Sequence, residues 1–156
     1  MRKKGKRGKW QVDNSAIYRV MTGLQPFTQS EQDQMNLPVR MSLQCLKEGT
    51  ADEAHINTMA VICNVCLLRA ESIGGEALTV AKDGQDACMA VIERHQRTGY
   101  YSLTADEFVR IEISVDMHEQ LYALSTPIQM IQAMREVVRR VNQGHLLKLS
   151  TTARNG

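Results

Sequence analysis

Three times along the chain a threonine stands three residues ahead of a glutamate, at the mouth of a run whose apolar residues recur every three or four positions: Thr28-x-x-Glu31, Thr50-x-x-Glu53 and Thr104-x-x-Glu107. In such a capping box the threonine hydroxyl accepts from a backbone N–H of the first helical turn, and the glutamate carboxylate reaches back to the threonine N–H. Two otherwise orphaned donors are satisfied at once. A fourth start is Ser125 or Thr126 followed by Pro127, because proline at the first helical position gives up an N–H that has no partner in the helix. Gly23, Gly49, Gly74-Gly75 and Gly144 supply the stops. Starts and stops of this kind, with helical periodicity between them, predict an all-α protein: a single-domain bundle of five or six helices over residues 13–145.

The spacing places a short helix over 14–22, capped by Asp13 or Asn14, with the Gln25-Pro26-Phe27 turn after it. A second helix opens at Thr28. Pro38 is expected to kink or split it, because proline removes a helical hydrogen bond and crowds the preceding turn. Its later half, Val39 to Lys47, carries Val39, Leu43 and Leu46 on one side. The third helix runs from Thr50 to about Ser72. Ile56, Met59, Ala60, Cys63, Cys66, Leu67 and Ala70 follow one face while Val61, Ile62, Val65 and Leu68 cover the other, the signature of a central helix. Asn64 in that run must find partners or face a polar interface.

A fourth helix over 76–97 carries Ala81, Cys88, Ile92 and His95 on one face and contains Gly84. Glycine there costs about 1 kcal/mol relative to alanine, so it marks either a break after Asp83 or a close helix crossing. After a short extended stretch, Tyr100 to Leu103, the fifth helix covers 105–124. It has one stripe of Phe108, Ile111, Val115, His118 and Tyr122 and a second of Ile113, Met117, Leu121 and Leu124, leaving Glu112, Asp116, Glu119 and Ala123 to water. In the last helix Met130, Ile131, Met134, Val137, Val138 and Val141 are expected to face inward. The third and fifth helices have the broadest apolar faces and are expected to be the most buried. The tail, 146–156, is expected to fray.

Residues 1–12 read differently. Arg2, Lys3, Lys4, Lys6, Arg7 and Lys9 share the first nine positions with two glycines and no acid, a composition expected to form a disordered basic arm. The formal net charge of +2 hides the asymmetry, because without those six cations 13 basic residues face 17 acidic ones. Lysine and arginine at this density neutralise phosphates and release counterions, which gives salt-sensitive affinity for DNA or RNA without regard to sequence. Trp10 is placed to stack on a base or to anchor the arm. Arg135, Arg139 and Arg140 extend the basic patch if the two ends of the chain meet. The alternative is a solubilising tail, and short basic runs also imitate nuclear localisation signals.

Nothing in the sequence points to catalysis. Cys63-x-x-Cys66 has the spacing of a redox pair or half a zinc site, but it falls in the middle of an apolar helix without a second pair. Cys45, Cys63, Cys66 and Cys88 are therefore expected to be structural thiols in a reducing, cytoplasmic setting. His118 lies on the apolar stripe, and Glu112, Asp116 and Glu119 lie on the opposite side, so no metal or acid/base cluster is expected. Phosphate-binding glycine loops, nucleophile elbows and H-E-x-x-H helices are missing from the sequence. No enzyme activity, metal or cofactor is expected. The apolar run Met59 to Leu68 is broken by Asn64 and closed by Arg69 and Glu71, short of the roughly 20 residues of a membrane span. No secretion signal or membrane contact is expected either.

The basic arm, Asn64 inside an apolar helix, Gly99 to Glu107 (GYYSLTADE), His118-x-x-Leu121 and Val137-Val138-Arg139-Arg140-Val141 together give a layout that resembles small proteins of proteobacterial prophages and plasmids. The resemblance covers most of the chain. It implies a mobile-element origin and an accessory role, and supplies no catalytic residue. The expected function is that of a non-enzymatic accessory or regulatory protein whose helical body meets a protein partner or itself while the arm touches nucleic acid. Two alternatives stand beside it: a purely protein-directed adaptor or inhibitor that uses the Met-rich helices as an adaptable surface, and, more remotely, a metal or redox protein built on converging cysteines.

Overall fold

Glu31 donates its N–H to the Thr28 hydroxyl at 3.3 Å and its carboxylate accepts from the Thr28 N–H at 2.8 Å, so the first capping box starts a helix as predicted. Thr104 and Glu107 do the same at 3.2 and 2.8 Å. Thr126 takes the fourth start with Gln129 as its partner, at 3.4 and 2.9 Å. A computed structural model of the protein describes residues 23–146, which form five helices: α1 Gln29–Glu48, α2 Glu53–Ile73, α3 Gly75–Thr98, α4 Ala105–Leu124 and α5 Pro127–Asn142, of which these three signals open α1, α4 and α5. The described residues contain no strand, and Tyr100 to Leu103 is an irregular link. The expected helix over 14–22, the basic arm and the residues after Leu146 lie outside the described residues.

The start of α2 departs from expectation. Its cap is Asp52, whose carboxylate accepts from the His55 N–H at 3.2 Å while His55 Nδ1 accepts from the Asp52 N–H at 3.1 Å. Thr50 instead belongs to the end of α1. Gly49 turns left-handed at φ 72°, its N–H bonds the Leu46 carbonyl and the Thr50 N–H bonds the Cys45 carbonyl, the paired bonds of a Schellman motif. Gly74 and Gly75, both at positive φ, make the tight joint between α2 and α3.

Pro38 does not split α1, which passes through it without interruption. The carbonyl that loses its helical partner belongs to Gln34, which is exposed, so water replaces the missing donor. Val39, Leu43 and Leu46 are buried just beyond, and their packing offsets the cost of an internal proline, about 3 kcal/mol.

α2 is the central element and packs against all four other helices. Its length and mean hydropathy of 1.3 match those of a membrane-crossing helix, but its apolar side chains Ile56, Met59, Val65 and Ala70 are spent inside the bundle. One core, from Val39 through Leu121, joins α1 to α4. A second, smaller cluster of Val65, Tyr122, Met130, Val137 and Leu146 seats α5 on the other side of α2. Gly84 marks a crossing rather than a break: α3 is continuous, and a Cβ at Gly84 would lie 1.9 Å from Ser114 Oγ on α4 and 3.6 Å from Cys63 Sγ on α2. Two expected apolar stripes are only partly buried. Ile131 and Val138 of α5, and Ile113 and Leu124 of α4, face outward instead of inward.

Candidate functional site

The nucleic-acid residues expected from the sequence divide into two sets. Arg2, Lys3, Lys4, Lys6, Arg7, Lys9 and Trp10 lie outside the described residues. Arg135, Arg139 and Arg140 lie on α5, and their surroundings decide how much charge they offer. The Arg139 and Arg140 guanidiniums both bond the Glu136 carboxylate, at 2.6 and 2.8 Å, and Arg140 reaches across to Glu71 of α2 at 2.6 Å. Hydrogen bonds from Arg139 and Arg140 push the Glu136 carboxyl down to about 2. Two arginines and two glutamates compensate each other, so among the described residues Arg135 is the α5 arginine without an ion-pair partner. Sequence spacing put three cations on one helix; it did not reveal that Glu71 would meet them from another.

The start of the described chain lies beside the same helix. The Gly23 carbonyl accepts from the Ile128 N–H at 3.2 Å, in the first turn of α5. The described chain therefore begins at α5, the helix that carries Arg135.

Two of the buried polar residues, Asn64 and Ser114, lie at the crossing of α2, α3 and α4. Asn64 is fully buried, and its carbonyl oxygen accepts from Gln85 Nε2 at 2.8 Å, which provides the partner that its place in α2 demanded. Cys63, Cys66 and Cys88 are buried around the same crossing, and the Cys66 thiol donates to the Ser114 carbonyl at 3.3 Å. A hydrogen bond with Cys63, followed by burial, raises the Cys88 thiol well above the usual range, and burial does the same to Cys66. Thiols held protonated are poor nucleophiles and poor metal ligands. Cys45, on α1, is only partly buried. Among the described residues, no three His, Cys, Asp or Glu side chains gather where they could hold a metal ion.

His118 and its neighbouring carboxylates separate as the periodicity predicts. His118 is buried edge-on against the Tyr122 ring, with centroids 4.7 Å apart, and burial lowers its pKa from 6.5 to about 4. Asp116 and Glu119 turn away to α1, where Arg40 bonds Glu119 with Nε and Nη2 at 2.6 and 2.8 Å and contacts Asp116 as well. Arg40 was not singled out in the sequence, since nothing local shows which helix will lie opposite the acidic side of α4.

The GYYSLTADE segment does structural work. Arg94 forms a two-pronged bond to Glu107, at 2.9 and 2.6 Å, and also donates to the Ser102 carbonyl. Tyr101 stacks on His95 with centroids 3.8 Å apart and planes 4° from parallel. These contacts tie the link between α3 and α4 to both helices.

Among the described residues, two apolar grooves stand open. One, of about 480 Å³, lies where α2 ends and α3 meets α4; Ile73, Val80, Ile113, Met117 and Leu124 line it, with Glu76 and Asp116 at its rim. The other, of about 470 Å³, lies between α1 and α5 and is formed by Met35, Met130, Ile131, Met134 and Val138, with Arg135 beside them. The chain matches no family model, no curated protein and no solved structure.

Proposed function

We propose that the protein is a non-enzymatic accessory or regulatory protein of a mobile element, in which residues 2–9 contact DNA or RNA phosphates without sequence preference and the helical body meets a protein partner or a second copy of itself. The observation that carries this reading is the segregation of charge: six cations in the first nine residues against an excess of acid in the remainder. The attachment of Gly23 to the first turn of α5 supports it, because the described chain then begins on the helix that carries Arg135. The non-enzymatic part is supported by a body in which burial holds His118 and the Cys66 thiol neutral, a hydrogen bond with Cys63 and burial hold the Cys88 thiol neutral, and Arg40, Arg94, Arg139 and Arg140 are engaged with carboxylates. The reading belongs in the cytoplasm, where free thiols persist and nucleic acid is at hand.

The test is a titration of mixed-sequence DNA and RNA, at low salt, with the full chain and with a chain lacking residues 2–9. Binding by the full chain alone is the expected result. If both bind alike, or neither binds, residues 2–9 are a solubilising tail. The alternative reading, a protein-directed adaptor, then takes over; the acidic-rimmed groove between α3 and α4 is the observation that favours it.

A further inference from the structure

Ile73, Ile113 and Leu124 are 62, 45 and 82% exposed, and they line one groove, at the end of α2 and between α3 and α4, with Val80 and Met117 half-buried in it. Apolar side chains gathered in this way and bordered by polar groups mark a contact surface, left in water at a cost of roughly 25 cal/mol for each Å². The border is acidic. Glu76 and Asp116 stand in the lining itself, Asp83 follows Glu76 two helical turns along α3, and no lysine or arginine lines the groove. We propose that this groove takes a basic amphipathic helix of a partner protein, with its apolar side chains down and its lysines or arginines turned to Glu76, Asp83 and Asp116.

Charge selects that occupant. Glu76 and Asp83 are exposed and make no ion pair among the described residues. Asp116 meets Arg40 through one oxygen and keeps half of its side chain exposed. Arg110, one turn before Ile113, is bonded to Asp106 at 2.9 Å, so its charge is already engaged. A rim of this sign repels nucleic-acid phosphates, and a second copy seated about a two-fold axis would set the same carboxylates against one another. Shape selects the conformation. The groove follows α4 from Ile113 to Leu124, about 16.5 Å at 1.5 Å per residue, which suits about three turns of a partner helix with anchors at i, i+4, i+7 and i+11. An extended segment would leave backbone groups unpaired there, because the described residues offer no strand edge to bond them, whereas a helix satisfies its own. The inference rests on the proposed function only in giving the body a protein partner; the nucleic-acid part is decided by the DNA and RNA titration alone.

The probe is a displayed library of helix-forming peptides of about 16 residues, with leucine at i, i+4, i+7 and i+11 and every other position randomised. It is selected on the full chain and counter-selected on full-length Ile113→Asp/Leu124→Asp, which changes only exposed side chains; the methyl signals of buried Val65 and Ile111 report whether that variant stays folded. The surviving peptides are expected to be net basic and to shift the Ile73, Ile113 and Met117 methyl signals. They should bind Glu76→Lys/Asp83→Lys at least about tenfold more weakly than wild type, by a margin that shrinks as salt is raised. Survivors that are net acidic or uncharged, or no survivors at all, would overturn the proposal. So would Ile113 methyl signals that move when the chain alone is diluted, which assigns the groove to a second copy, or that move at constant concentration when residues 2–9 are deleted, which assigns it to the chain's own cations. DNA binding without groove-dependent peptides sinks this inference alone, and the converse sinks only the nucleic-acid part of the proposed function.

Discussion

Gly84 and Ser114 approach so closely that no side chain fits at position 84, and this outweighs the helical preference of alanine. Gly84→Ala gains about 1 kcal/mol of propensity, but its methyl group meets Ser114 Oγ at 1.9 Å and Ser114 Cβ at 2.9 Å. The expected net effect is a loss of about 1–3 kcal/mol from overpacking, read as a lowered urea midpoint. Ser114→Ala should behave in the opposite way. The Ser114 hydroxyl is buried with no partner among the described residues, so its removal is expected to leave the midpoint unchanged or raise it. A loss above about 1 kcal/mol would disprove that reading of the hydroxyl. His118 gives the pH prediction. Its folded pKa of about 4 lies below its ordinary 6.5, so the unfolded chain binds more protons between those values. Stability therefore falls as pH drops from 6.5 toward 4 and is flat in this respect below, and complete expression of the shift amounts to about 3 kcal/mol. Glu107 and Glu136, whose carboxyls are held low, also lose stabilisation in acid, so the contribution of His118 is the difference in slope between wild type and His118→Phe. Equal slopes would show that the imidazole is not held neutral. Sequence marked Gly84 and Asn64 as anomalies, but identifying Ser114 and Gln85 as their partners needed the helix crossing itself.

At the scale of the element, helix starts were the most legible feature, because a cap is a local bond between residues three apart. Thr28, Thr104 and Thr126 took the role that their neighbours implied. The failure at Thr50 has a local cause: Gly49 puts Thr50 into the closing motif of α1, where its N–H is already committed to Cys45, and Asp52 caps α2 in its place. Asp52→Ala and Thr104→Ala should each cost about 0.5–2 kcal/mol, whereas Thr50→Ala, which removes no cap, should stay within about 0.5 kcal/mol. Chemical denaturation of the three variants checks this, and a Thr50→Ala loss equal to that of Asp52→Ala would restore the Thr50 box. Apolar stripes were less legible than caps. Ile131 and Val138 share the helical period of the buried α5 residues, so periodicity alone assigned them to the core; what differs is that no described helix stands over them.

At the scale of the molecule, the all-α bundle was legible because every start, stop and period agreed on it, and the central position of α2 followed from an apolar surface too broad for any single partner. Long-range charge was not legible. Arg40 meets Asp116 and Glu119, and Arg140 meets Glu71, only once the helices are packed, and these pairs decide how little positive charge the body itself presents. That balance sharpens the nucleic-acid prediction. If Arg139 and Arg140 stay with their glutamates, the salt dependence of binding should come almost wholly from the six cations of residues 2–9. Six neutralised phosphates at a slope near −0.9 each give a limiting log–log slope of about −5 on duplex DNA, so a fourfold rise in salt should weaken binding by up to about a thousandfold. Arg135→Ala should reduce that slope by at most about one, and Arg139→Ala should leave it unchanged. Affinities measured across a salt series for the wild type and the two variants decide the matter. A loss of one full slope unit in Arg139→Ala would mean that Arg139 abandons Glu136 for phosphate, and the binding surface would then include the outer edge of α5.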